Sequence, residues 1–282
     1  MNISVVFNNN RQLNTYTGNG DGRKMKSFKK WIPTIVGALI TIAGIVLDVQ
    51  TYIGGDYKNK NYAYALLVTF VGILVLITGI KKLVNKNDEK PVKADVTTLA
   101  QAALCAALCY IGFAFFKIDI PVGTEKTAFH FGNVFCVLAA LLIGGYWGGL
   151  AGAVGMTIGD LTTAYVTSAP KTFVLKLCIG LIVGLVAHKG FKLSKSHSAK
   201  YTAVGTVVSA AAGMLFNIVA DPLVGYFYKM YLYGIPQDMA KTLAKISSIT
   251  TSVNAVIAVI AASLIYLALR PVMRKAGLLK EI

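Results

Sequence analysis

The chain has 282 residues, 55% of them hydrophobic and only 14% charged, where a soluble domain carries roughly 45–50% apolar and 25% charged residues. A water-soluble globule is excluded. The formal net charge of +16, from 28 Lys+Arg against 12 Asp+Glu, must be set against the tendency of basic residues to gather on the cytoplasmic side of membrane proteins, and that comparison removes nucleic acid as a partner.

Residues 1–30 are polar and basic and read as a cytoplasmic tail. The apolar run of about 31–53 that follows is long enough to cross a hydrocarbon core of roughly 30 Å at 1.5 Å per residue, and lacks the small-residue cleavage site of a signal peptide. Further apolar spans fall at about 62–84, 97–117, 130–145, 147–168, 171–188, 201–228 and 246–270, eight in all. The spans 130–145 and 147–168 are joined through Gly144-Gly145-Tyr146-Trp147-Gly148-Gly149 and are expected to form one tight helical hairpin. The predicted fold class is therefore all-α: a polytopic membrane protein with a two-helix transmembrane appendage (31–84), a charged linker (85–96) and a six-helix core (97–282).

Alternating the loops across the bilayer tests this count. With the N-terminus inside, 19 Lys and Arg residues fall on the cytoplasmic face and eight on the other, with Lys176 left inside a helix. The asymmetry places both chain ends in the cytoplasm. Lys171 is assigned to an outer loop by the same count. The four cysteines, Cys105, Cys109, Cys136 and Cys178, sit in apolar runs without paired spacing or a His cluster, so they read as packing residues, with no disulfide framework and no metal site.

Ionisable and polar side chains inside a bilayer are costly and usually face a cavity or one another. Asp160 and Lys176 fall roughly 12 Å and 8 Å below the same outer surface on adjacent antiparallel helices, a placement in which they can form an ion pair. His130 and Asn133 lie at the outer entry of their helix, and the same arithmetic puts Asn217, Asp221 and Asn254 in the outer half. Together these residues define a candidate pocket. Asp221-Pro222 also reads as a helix kink, and Tyr226, Tyr228, Tyr231 and Tyr233 as an interfacial aromatic belt. In the inner half of the first core helix, Ala102/Ala106 and Ala103/Ala107 form small-xxx-small pairs that let another helix approach closely.

No phosphate-binding loop G-x-x-x-x-G-K-[ST], no H-E-x-x-H and no G-x-S-x-G occurs, so the sequence supports neither ATP hydrolysis by that route nor an enzyme, and no cofactor is expected. His130-Phe131-Gly132-Asn133-Val134, Gly159-Asp160-Leu161 and Ala169-Pro170-Lys171-Thr172-Phe173 followed by Lys176 resemble the substrate-binding S components of energy-coupling factor (ECF) transporters, specifically the riboflavin-type family. The resemblance covers about residues 97–275. It implies a cell-membrane subunit that captures a vitamin or vitamin precursor (riboflavin, hydroxymethylpyrimidine or a pyridoxine-like compound) from outside, and docks on a transmembrane T component and ATPase subunits through the alanine pairs Ala102/Ala106 and Ala103/Ala107. The appendage 31–84 departs from the usual six-helix pattern. The rival readings are a solitary secondary transporter using Asp160 and Lys176 for proton coupling, for which no inverted repeat is visible, and a structural or regulatory membrane protein.

Overall fold

The structure is a computed structural model and describes residues 31–55, 60–84, 95–123, 125–195 and 197–279. The expected cytoplasmic tail (1–30) and most of the charged linker (85–94) lie outside the described residues. Among the described residues, seven helices are long and apolar enough to cross a membrane. They are α1 (Trp31–Ile53), α2 (Lys60–Val84), α3 (Val96–Ala114), α4 (Gly132–Thr162), α5 (Ala169–Gly184, running on as a wider turn through Gly190), α6 (Ala199–Leu232) and α7 (Gln237–Lys275).

The count of eight and the count of seven are reconciled at Gly144. Its φ of 84° and ψ of 168° break α4 into two arms. A Cβ on Gly148 would strike Ala140, one on Gly152 would lie 3.0 Å from the Cys136 sulfur, and one on Gly132 would strike Met156. Contacts symmetric about residue 144 require that the second arm return antiparallel along the first, so the expected hairpin is formed. Only glycine adopts such a φ without strain. The returning arm meets α5 just as closely, with Gly149 against Gly180 and Gly145 against Gly184. Glycine pairs of this kind replace the hydrophobic effect, which has no hold between helices in lipid, with close backbone packing.

Two compact units are present: the described parts of 1–50 and 65–92 form one, and those of 51–64 and 93–282 the other. In the first, α1 and α2 pack through glycines at both ends, Gly44 against Thr69 and Gly79 against Thr34, and Asp48 accepts a hydrogen bond of 2.7 Å from the Thr69 hydroxyl. Residues 51–64 thus group with the core rather than with the rest of the appendage. In the second unit α3 starts where the Asp95 carboxylate caps the Thr98 amide at 2.9 Å, and α6 where the Ser198 hydroxyl accepts from the Tyr201 amide.

Among the described residues one element is not helical. Between α3 and α4, β1 (Lys117–Val122) and β2 (Glu125–His130) form an antiparallel hairpin pairing Val122 with Glu125 and Lys117 with His130, and reversing at Gly123 (φ 62°). The run Lys117-Ile118-Asp119-Ile120-Pro121-Val122 alternates polar and apolar residues, rich in β-branched side chains, and Pro121 sits where a helix would be broken. At the far end of the unit the His188 ring bonds the Ser194 hydroxyl and the Ala140 carbonyl, and Arg270 donates to the Leu193 and Lys195 carbonyls.

Candidate substrate-binding pocket

At the hairpin end, β2, α4, α5, α6 and α7 enclose a cavity with about 840 Å³ of empty space, its mouth included. His130, Asn133, Asp160, Lys176, Asn217, Asp221 and Asn254 all line it. They arrive from five elements: His130 at the end of β2, Asn133 and Asp160 on opposite arms of the α4 hairpin, Lys176 on α5, Asn217 and Asp221 on α6, and Asn254 on α7.

These residues divide into those whose hydrogen bonds are spent on the protein and those with capacity left. Asn254 is spent: its Oδ1 accepts from the His130 amide at 3.0 Å and its Nδ2 donates to the Ala128 carbonyl at 2.9 Å, which stitches β2 to α7. Asp221 is spent as well. Its Oδ1 lies 2.8 Å from Lys171 Nζ, and its Oδ2 accepts from the hydroxyls of Ser247 (2.9 Å) and Thr251 (3.1 Å). Pro222, which cannot donate a backbone hydrogen bond, follows it inside α6.

Asp160 and Lys176 are the groups with capacity left. Asp160 is 2% exposed and has the Thr172 hydroxyl beside it, yet its Oδ2 has no partner. Lys176 is 6% exposed, and its ammonium reaches only Asn217 Oδ1, at 3.4 Å. Buried Asn133 Oδ1 and His130 Nδ1 are likewise without partners. Burial, helped by the positive charge of Lys176, pushes the His130 imidazole down to about 3, so the ring is neutral near pH 7.

The structure corrects the expected ion pair. Among the described residues Lys176 has no ion-pair partner, and the lysine of α5 that pairs with a carboxylate is Lys171, which the loop count had put in an outer loop. From Lys171 to Lys176 an α-helix turns through about 140° net, so the two ammonium groups address different walls. Lys229, also on the lining, pairs with Glu125 of β2. Polar stripe Ser247, Thr250, Thr251 and Asn254 on α7 was legible as an i, i+3, i+4, i+7 pattern inside an apolar helix, and it supplies the Asp221 and hairpin contacts.

The hairpin is held over the pocket from several sides. Glu125 ties it to α6, the Thr127 and Thr250 hydroxyls meet at 2.8 Å, and Asp119 accepts from the Tyr165 hydroxyl at 2.9 Å. Lys117 stands 4.7 Å above the centre of the Tyr165 ring. Two tyrosines read as an aromatic belt are instead internal: Tyr228 donates to the Thr167 carbonyl at 2.9 Å and Tyr233 is buried, whereas Tyr231 is exposed.

The two alanine pairs separate onto different faces. Ala102 is buried in the core, and Ala106 packs where a Cβ on Gly155 would strike its carbonyl, so this pair is turned towards α4 and not outwards. Ala103 and Ala107 are exposed, flanked by exposed Leu99, Leu104 and Ile111.

Apolar spanning helices around a ligand-sized pocket with unspent polar groups define a multi-pass membrane protein built to hold a small molecule. The model of the family described as ECF-type riboflavin transporter, S component, matches residues 93–271, and the chain belongs to that family. It is a transport family and not an enzyme class; its members are the substrate-binding subunits of ECF transporters. No curated protein and no solved structure matches the chain.

Proposed function

We propose that this chain captures a vitamin or vitamin precursor at the outer face of the cell membrane, a ring compound of the size of riboflavin, hydroxymethylpyrimidine or pyridoxine, and delivers it to a T component energised by ATPase subunits. The observation that carries this reading is the set of buried Asp160, Lys176 and Asn133 with half-buried His130 around one cavity, each with hydrogen-bonding capacity that no protein group uses. Buried polar atoms left without partners cost about 1–3 kcal/mol each, and a ligand that satisfies them recovers that energy. Asp221, Asn254 and Asn217 act behind this set, fixing Lys171, the hairpin and Lys176.

The pocket opens outward in this reading, with both chain ends cytoplasmic, in keeping with the 19 to eight division of basic residues. The exposed strip of Ala103 and Ala107 is the part of the alanine motif available to a T component. Mass spectrometry of the small molecule retained after gentle detergent purification tests the function directly. A heterocyclic vitamin or precursor at near one equivalent is expected. A protein that retains none, and gives no heat on titration with riboflavin, pyridoxine or hydroxymethylpyrimidine, would overturn it.

A further inference from the structure

We infer that the end of the core opposite the pocket carries a headgroup site for an anionic phospholipid of the inner leaflet, formed by the α5–α6 turn and the end of α7. The site takes only the membrane orientation from the proposed function, and holds whichever compound the pocket receives.

Charge is distributed one-sidedly here. Lys189, Lys192, Lys195 and Lys200 lie close together in the chain, Arg274 and Lys275 close α7, and all six are exposed. No Asp or Glu occurs between Asp160 and Asp221, or between Asp238 and Glu281. Among the described residues none of the six takes part in an ion pair. Membrane orientation requires only that basic residues gather on this side. It does not require that they be held in place, and this turn is held.

Arg270 Nη2 donates to the Leu193 and Lys195 carbonyls at 3.0 Å and 2.8 Å, which ties the turn to α7 one helical turn before Arg274. Leu193 and Ser194 are buried beneath it. The Leu193 amide donates to the Ala187 carbonyl and the Lys195 amide to the Lys192 carbonyl, both at 2.9 Å. Lys192 has a φ of 51°, and is the one non-glycine among the described residues with a left-handed backbone. Lys192 and Lys195 therefore stay exposed on a short loop that is anchored on both sides.

The surface next to the lysines selects a lipid over a soluble anion. Tyr201, Val204, Val208 and Leu215 on α6 are all exposed, at a spacing that places them along one stripe. The stripe begins one residue after Lys200 and runs for roughly 21 Å into the membrane. Tyr201, whose ring lies 5.7 Å from that of Phe191, marks the headgroup level. An anionic lipid meets both parts of this surface, its phosphate on the lysines and its acyl chains on the stripe. A soluble phosphate or an acidic protein segment meets only the first.

The test is native mass spectrometry of the full-length protein in detergent, titrated with dioleoylphosphatidylglycerol and, separately, dioleoylphosphatidylcholine. A lysine beside an anionic headgroup is worth roughly fivefold in affinity, so two of them predict a preference of about 25-fold for phosphatidylglycerol in wild type. Lys192→Gln/Lys195→Gln is expected to lose most of that preference. Lys241→Gln/Lys245→Gln, which removes the same charge from exposed residues near the pocket, is expected to keep it. Equal wild-type affinity for the two lipids overturns the site without recourse to any variant. Equal losses in the two double variants overturn it in favour of diffuse charge attraction. Displacement of phosphatidylglycerol by glycerol 3-phosphate at the same concentration assigns the lysines to a soluble anion. Absence of the lipid preference, together with loss of ATPase co-purification in Lys192→Gln/Lys195→Gln, assigns them to a protein partner. The same spectra report any small molecule retained in the pocket. Its absence counts against the capture function alone, because the lipid preference is read independently.

Discussion

Lys171 Nζ lies 2.8 Å from Asp221 Oδ1, joining the first turn of α5 to the middle of α6 across the wall of the pocket. Both side chains are largely buried, at 10% and 19% exposure. Removing one partner of such a pair leaves a charge without compensation, at a cost of about 3–5 kcal/mol, whereas replacing both by apolar groups is often neutral. Lys171→Met and Asp221→Leu are each expected to lower the melting temperature in detergent strongly, and the double variant to recover most of the loss. Simple addition of the two losses would show that the residues do not act as a pair.

Asn254 carries two of the hydrogen bonds that attach β2 to α7, the Thr127–Thr250 hydroxyl contact being another. Asn254→Ala would leave the His130 amide and the Ala128 carbonyl without protein partners, at about 1–3 kcal/mol each where they stay buried. The expected result is faster amide hydrogen exchange across residues 125–131, with exchange in the α4–α5 glycine interface unchanged. Uniformly faster exchange over the whole core would mean that Asn254 supports global stability instead.

The spans were legible because lipid requires every backbone polar group to be satisfied within a helix, which forces long apolar runs. Convergence of the seven polar residues was legible too, since a fixed rise per residue converts sequence position into depth. Depth gives no azimuth, however, and that is why Lys176 was paired with Asp160 while Lys171, five residues earlier, was assigned to an outer loop. The alanine pairs show the same limit: Ala102 and Ala103 are adjacent in sequence and about 100° apart on the helix, enough to put one in the core and the other outside. The β-hairpin was missed because the alternation that marks β1 spans only a few residues and is weak beside spans of twenty apolar residues.

His130 gives the fold an acid-sensitive group. Burial first, and then Lys176, lower its pKa from 6.5 to about 3, with Asp221 opposing and Lys117 assisting. Above pH 6.5 the ring is neutral folded and unfolded, and it contributes nothing to pH dependence. As pH falls below 6.5 only the unfolded chain takes up the proton, so stability declines by up to about 1.4 kcal/mol per pH unit until about pH 3. His130→Gln, which removes the titrating group, is expected to show a smaller drop in melting temperature between pH 7 and pH 5 than wild type. Parallel pH curves for the two proteins would assign the acid sensitivity to other groups.

All residues lining the pocket lie between Phe113 and Asn254. A truncated chain beginning at Asp95 is therefore expected to bind its ligand with unchanged affinity. It loses Tyr62, whose ring stands edge-on to Tyr233 at 5.7 Å, a contact worth about 0.5–1.5 kcal/mol beyond its buried area. A lower melting temperature with an intact Kd is the expected pattern, and a folded truncation that no longer binds would give residues 31–94 a part in the site.

Ala103 and Ala107 decide whether capture and transport are separable. Both are exposed on α3, on a strip continuing through Leu99, Leu104 and Ile111, whereas the pocket takes only Phe113 from the far end of the same helix. Small residues four apart allow a partner helix to approach to backbone contact, and a bulky side chain there holds it away. Ala103→Trp and Ala107→Trp project outward and have no neighbour in the core to displace, so melting temperature and ligand affinity in detergent are expected to stay at the wild-type value. Uptake of labelled ligand by cells that also carry the T component and ATPases is expected to fall at least tenfold. Ala102→Trp provides the contrast: its Cβ points into the core, so the same substitution one residue earlier should reduce folded yield and binding together. If Ala103→Trp and Ala107→Trp transport as well as wild type, the partner docks elsewhere; if they lose affinity and uptake in step, the strip belongs to the pocket's scaffold and not to a docking face.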